Sequence, residues 1–140
     1  MERKYCKNFI KNIIFVVMIS CILNVVIWIA FHGIPIMGIP NIEEVESITI
    51  KYNNEQQKEI IKKEEIELLV KSSNILNYKI LGKKEGQPVI SMIYHLKNGK
   101  DVMIEANYTT VWWKGKSYEI KEKDMFINII TVLFFDLEKK

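Results

Sequence analysis

Apolar positions fall in one long block near the amino terminus and then in short, broken runs to the end of the chain. From Ile13 to Phe31 (IIFVVMISCILNVVIWIAF) nineteen consecutive residues carry no charge. At about 1.5 Å per residue such a run covers roughly 28 Å as a helix, close to the hydrocarbon thickness of a bilayer. Backbone polar groups cannot stay unpaired in lipid, so the pattern predicts a transmembrane helix over residues 13–31. Gly33-Ile34-Pro35 and Gly38-Ile39-Pro40 then repeat a triplet in which proline blocks helix continuation. Residues 32–42 read as a short, stiff juxtamembrane spacer.

From residue 43 the periodicity changes. Val45 to Tyr52 alternates, with Ile48, Ile50 and Tyr52 on one side and Ser47, Thr49 and Lys51 on the other. This predicts a first strand, ended by Asn53-Asn54. Between Lys58 and Asn74 the stripe Ile66, Leu69, Val70, Ser73 predicts an amphipathic helix, with Lys62, Lys63, Glu64, Glu65 and Glu67 on its wet face. A short strand around Tyr78 to Leu81 and a loop from Gly82 to Gly86 follow.

Val89 to Leu96 and Asp101 to Ala106 flank Asn98-Gly99, a strong hairpin signal. A two-residue turn would set Ile90, Met92 and Tyr94 on the face that carries Asp101 and Glu105. A three-residue loop, Lys97-Asn98-Gly99 with Gly99 at positive φ, pairs Leu96 with Lys100 instead. Ile90, Met92 and Tyr94 then share a face with Val102, Ile104 and Ala106, while Ser91, His95, Asp101 and Glu105 take the other. A slip of one residue flips every side chain, so the second register is the expected one. By the same reasoning a loop Lys114-Gly115-Lys116 pairs Trp112 with Tyr118 and Thr110 with Ile120 toward the core. Trp113 then points the opposite way, beside Val111.

Asp124 is the expected cap of a closing helix from Met125 to Leu137 (MFINIITVLFFDL), too short to span a bilayer. The order is β-α-β-β-β-β-β-α: a small antiparallel-sheet α+β domain over residues 43–140, behind a basic tail (1–12), the membrane helix and the spacer.

Charge orients this arrangement. Arg3, Lys4, Lys7 and Lys11 precede the apolar run against Glu2 alone, whereas Glu43, Glu44 and Glu46 follow it before any lysine. Basic residues stay on the cytoplasmic side, so the amino terminus is expected inside and the domain outside the cell membrane. Trp28, Phe31 and His32 fall where an outer interfacial belt holds amphipathic rings. Three alternatives compete with a retained anchor, one of them a helix buried in a globular core, which nothing else in the chain is large enough to enclose. A cleaved signal peptide wants a shorter apolar core, and Trp28-Ile29-Ala30 puts a bulky ring where a small residue is needed. Met18-Ile19-Ser20-Cys21 is similar to a bacterial lipobox with Cys21 as the lipidation site, but with Met in place of the usual Leu and an apolar run that continues to Phe31.

Residues 33–140 carry 16 of the 20 basic residues and 16 of the 17 acids, so the formal +3 belongs to the tail. That charge is no evidence for nucleic-acid binding, which needs a basic face on the folded part. Cys6 and Cys21 both lie at or inside the membrane segment, leaving the outer domain without a disulfide or thiolate chemistry. Only one basic residue is Arg, a composition typical of an AT-rich genome.

The basic start MERKYCKN, the apolar anchor, the strand ESITIKY, the helix KKEEIELLV, the hairpin SMIYHLKNGKDVMIEA and the ending KSYEIKEKDMFINII together form a layout. It resembles that of small single-pass membrane-anchored proteins of low-GC Gram-positive, Clostridium- and Bacillus-like bacteria. The resemblance covers nearly the whole chain, is architectural, and brings no catalytic residues.

Candidate chemistry is sparse. His95 has no second His or Cys in the outer domain to share a metal, so it reads as an exposed strand residue. Nucleophile-elbow, phosphate-loop and zinc-protease signatures are missing. Asn107-Tyr108-Thr109 matches a glycosylation sequon by chance composition. No cofactor or metal is expected. The aromatic pair is the one site candidate, because neighbouring strand residues face opposite sides and one tryptophan must leave the core layer. Trp113, with Val111 and Lys114, is the expected binding surface for an envelope protein or peptide. The alternative is a cell-envelope hydrolase using carboxylates such as Glu105 and Glu119.

Overall fold

The computed structural model describes residues 2–79, 82 and 85–135, with side chains from Asn8 onward. The chain divides into two units, Met1–Gly33 and Ile34–Lys140. The first is one helix, α1 (Glu2–His32). Within it the 25-residue span Asn8–His32 holds an 18-residue window of mean hydropathy 2.9, is long and apolar enough to cross a membrane, and has none of that window buried. Asn24, mid-helix, donates from Nδ2 to the Ser20 carbonyl at 2.8 Å, which keeps its amide partly satisfied within the helix. Trp28 stacks on His32 in the last turn, ring centroids 4.9 Å apart. Cys21 is a free thiol within α1, and the helix continues past it to His32.

The second unit is an α+β domain. In chain order it comprises β1 (Ile34–Pro35), a 3₁₀ turn (Ile42–Glu44), β2 (Val45–Tyr52), β3 (Gln56–Ile60), α2 (Lys63–Asn74) and β4 (Asn77–Tyr78). β5 (Ile90–Leu96), β6 (Asp101–Ala106), β7 (Thr110–Trp113), β8 (Lys116–Glu119) and α3 (Met125–Phe135) complete it. Six strands form one antiparallel sheet in the order β3-β2-β5-β6-β7-β8, and β1 pairs with β4. The expected fold class and order hold, with β3 added between the first strand and the helix. Of the strand expected at Tyr78 to Leu81, and of the helix expected to Leu137, residues 80–81 and 136–137 lie outside the described residues.

Burial follows the alternation of the sequence. Ile48 and Ile50 of β2, Ile90, Met92 and Tyr94 of β5, and Ile104 and Ala106 of β6 are all buried on one side of the sheet. Ile66, Leu69 and Val70 of α2 join them, with Phe126, Ile127, Ile130 and Phe134 of α3, in one continuous core. Each such aliphatic or aromatic side chain contributes about 1.5–3 kcal/mol when fully removed from water. No buried side-chain polar atom among the described residues lacks a hydrogen-bond partner.

The first long hairpin adopts the expected register. Tyr94 lies opposite Val102 and Met92 opposite Ile104, Leu96 N–H donates to the Lys100 carbonyl at 2.9 Å, and Gly99 has φ +78°. Three other expectations need correction. Helix α2 begins at Lys63 rather than Lys58, because residues 56–60 turn back at the left-handed Asn53 and Asn54 and pair with β2. The stretch expected as a stiff spacer ahead of the domain is built into it from Ile34 on. Ile34 and Pro35 pair with Tyr78 and Asn77, and buried Ile36 donates to the Leu76 carbonyl at 3.0 Å.

The third correction is the β7–β8 hairpin, which closes through a two-residue turn, Lys114-Gly115, with φ +48° and +73°. Two positive φ values are what a tight turn between right-twisted strands requires. Trp113 therefore pairs with Lys116 and Val111 with Tyr118. The physical reason is burial: this register puts Val111 and Trp113 on the core side next to Ala106 and Ile104, where a three-residue loop would have put Thr110 and Trp112.

Asp124 enters α3 from left-handed backbone (φ +64°), its carbonyl accepting from Asn128 N–H at 2.9 Å. Its backbone, rather than a carboxylate cap, begins this helix.

Candidate functional site

Both helices of the domain lie on the same side of the sheet. Ser73 of α2 meets the Tyr94 hydroxyl of β5 at 2.6 Å in the core. At the other end Phe135 of α3 packs on Tyr52 of β2, ring centroids 5.5 Å apart, and Lys58 of β3 donates to the Phe134 carbonyl at 3.4 Å. The residues that alternate with the core set point to the opposite face, which neither α2 nor α3 covers. There the register aligns three rows across the strands. Lys51, Ser91, Glu105, Trp112 and Ser117 form one; Thr49, Ile93 and Met103 the next; Ser47, His95 and Asp101 the third.

Hydrogen bonds run across the strands within the first and third rows, and one joins the third row to the second. Ser91 Oγ donates to Glu105 Oε1 at 2.8 Å. His95 Nδ1 lies 2.8 Å from Asp101 Oδ1, and His95 Nε2 lies 2.9 Å from Thr49 Oγ1. An ionised carboxylate only accepts, so Nδ1–H donates to Asp101, and Nε2 faces the Thr49 hydroxyl. Hydroxyl, imidazole and carboxylate stand in the order used for nucleophilic catalysis. The surroundings do not complete such a site. Thr49 is mid-strand, only 9% exposed, and its strand is paired on both sides, which commits the neighbouring N–H groups that an oxyanion would need. The chain of bonds joins β2, β5 and β6 across the open face.

Beside it lies a groove of about 500 Å³ with Lys51, Ser91, Glu105 and Trp112 on its floor and Asn54, Gln87 and Pro88 at its rim. The rim is fixed from below by Asn107. Its Nδ2 donates to the Glu85 and Gln87 carbonyls at 2.7 and 3.2 Å, and its Oδ1 accepts from Thr109 and Thr110 N–H at 2.9 and 2.7 Å. The sequon asparagine is thus buried and fully engaged, as a turn residue whose short side chain substitutes for backbone partners. Of the loop expected at Gly82 to Gly86, residues 83–84 lie outside the described residues.

The expected binding trio is placed differently. Val111 is fully buried and Trp113 is 6% exposed, its Nε1 donating to the Met37 carbonyl at 3.0 Å. Lys114 is exposed at the turn, with Nζ 5.2 Å from the Trp113 ring centroid. The tryptophan that leaves the core layer is Trp112, half-buried on the open face opposite Glu105. The two carboxylates named for a hydrolase have separate partners: Glu105 holds Ser91, while Glu119 ion-pairs with Lys79 at 2.5 Å and Lys123 at 3.7 Å. Among the described residues no cluster of three or more His, Cys, Asp or Glu side chains could hold a metal ion.

Fold and site together define a small α+β domain with one sheet face left free by its own helices, in a chain whose described residues include one membrane-length apolar helix. No family model, no curated protein and no solved structure matches this chain.

Proposed function

We propose that this protein is a single-pass, membrane-anchored binding protein that presents its α+β domain outside the cytoplasmic membrane of a low-GC Gram-positive bacterium. In this reading α1 is retained as an anchor with its basic end in the cytoplasm, and the domain contacts an envelope component without transforming it. The observation that carries the reading is the one-sided placement of α2 and α3, which leaves a fixed face with a half-exposed tryptophan and a groove beside it. Exposed aromatic anchors on rigid strands suit recognition, since little side-chain freedom is lost on contact.

Two measurements test it. Residues 33–140 contain no cysteine, so Ser117→Cys introduces a single thiol into the domain. A membrane-impermeant maleimide should label it in intact cells and leave a cysteine at Asn8 unlabelled; the opposite pattern would reject the orientation. A photo-crosslinker at Trp112 should then give a discrete adduct that the same group at Lys123 does not give.

A second reading, an envelope hydrolase, gains support from the Thr49–His95–Asp101 chain alone. Covalent labelling of the full chain by a fluorophosphonate probe, lost in Thr49→Val, would favour it over simple binding.

A further inference from the structure

Resting on the reading of this protein as an extracytoplasmic binder, we propose that the Trp112 groove is a carbohydrate site that takes a neutral glycan chain. The argument starts from what the groove offers. Its strands β2, β5, β6 and β7 are all interior to the sheet, with partners on both sides. Their backbone donors and acceptors are spent in the ladder, so an extended peptide would find no strand edge to extend and would meet side chains only. Recognition at this face must therefore come from side-chain chemistry.

That chemistry is one flat aromatic surface, with Pro88 and Val89 also in the lining, among polar groups. Trp112 supplies the surface, and the axial C–H groups of a pyranose ring can lie on such an indole while its equatorial hydroxyls reach sideways. Around it stand an ammonium (Lys51), a hydroxyl (Ser91), a carboxylate (Glu105) and two carboxamides (Asn54 and Gln87). These provide both donors and acceptors, with the Ser91 hydroxyl already donating to Glu105, which matches the dual donor-acceptor character of a sugar hydroxyl. The charges narrow the choice. Lys51 opposes a cation and Glu105 opposes an anion, so neither sign is favoured. An apolar ligand would strip water from both charges without replacing their hydrogen bonds. A neutral polyol satisfies both. At about 500 Å³ the groove also falls within the usual range of small-ligand sites, and Asn107 holds its rim in place before any ligand arrives.

The test uses the full-length chain labelled with 5-fluorotryptophan in dodecylphosphocholine micelles, which carry no sugar headgroup. The ¹⁹F resonances are assigned with Trp28→Phe, Trp112→Phe and Trp113→Phe. Triacetylchitotriose and cellotriose are titrated separately, one rich in acetamido groups and the other in plain hydroxyls. The expected result is a saturable shift confined to the Trp112 resonance with at least one of the two. Glu105→Gln, which keeps the shape of the floor, should weaken that binding at least fivefold, and Trp112→Ala at least tenfold by isothermal titration. No saturable shift with either probe would overturn the proposal, as would binding unchanged in Trp112→Ala or a response led by Trp28 or Trp113. Absence of glycan binding in a chain that still gives a Trp112-dependent protein adduct would reject the carbohydrate assignment and leave the binding-protein reading standing. An inward-facing domain would remove both.

Discussion

On the helix side of the sheet Ile48, Ile50, Met92, Tyr94 and Ile104 are removed from water, while on the other side Lys51, Ile93, His95, Met103 and Glu105 remain half or fully exposed. The two sets alternate along the same strands, so backbone geometry cannot distinguish them. What differs is the constraint. A core side chain is fixed by volume and polarity, and its neighbours punish a change within a methylene or two. An open-face side chain is held mainly by cross-strand partners worth about 0.2–1 kcal/mol each. The open face can therefore be shaped for recognition at small cost to folding, which is why the functional proposals above belong there.

The adjacent tryptophans give the sharpest test of this contrast. Trp113→Ala should cost about 3–5 kcal/mol in denaturant unfolding of the full chain, as for other large core truncations. Trp112→Ala, one residue away, should cost less than about 1 kcal/mol, the scale of a cross-strand pair. Equal losses would break the two-face description.

The next effect is smaller. Asn107→Ala removes the acceptor for the buried Thr110 N–H and both ties to the 85–87 rim, and should cost about 1–3 kcal/mol. Amide exchange at Thr110 should rise with it.

Tyr94 offers a pH test of the core side. Burial raises the affinity of its phenol for the proton, with the Ser73 hydrogen bond acting weakly the other way. The unfolded chain ionises at about pH 10 while the fold keeps the proton. The Tyr94 contribution is therefore complete below about pH 10 and is lost as pH climbs toward the raised value. Tyr94→Phe should cost about 1 kcal/mol at neutral pH and flatten this alkaline loss in a denaturation series.

The smallest effect belongs to the open face again. His95→Ala breaks the Thr49–His95–Asp101 chain and should cost at most about 1 kcal/mol, because its partners can turn to water. A loss of several kcal/mol would mean that the open face is a second core.

How much of this was readable in advance depended on range. The β5–β6 register followed from local alternation, since only one loop length puts Ile90, Met92 and Tyr94 with Val102, Ile104 and Ala106. That register already sets His95 opposite Asp101. Thr49 could not be added from the sequence, because its approach needs the β2–β5 pairing across more than forty residues. Strand β3 was illegible for another reason: four of its five residues are exposed, so QQKEI carries no alternation to detect. In the β7–β8 hairpin both loop lengths keep Tyr118 and Ile120 inward. The choice rested on Val111 with Trp113 against Thr110 with Trp112, and the more apolar pair won. That single slip moved the candidate site by one residue, from Trp113 to Trp112.

The seam between β1 and β4 has a mechanical consequence. Any load that reaches the domain along the chain from α1 arrives first at Ile34–Ile36, which is held by a two-residue ladder and the Ile36–Leu76 bond. Antiparallel strands pulled from one end open bond by bond, so this strip is the part that would peel while the six-stranded sheet stays whole. The next contact along the same path is the Met37 carbonyl, the acceptor for the Trp113 indole N–H. Tension along the chain would therefore reach this hydrogen bond before it reaches the strands of the large sheet.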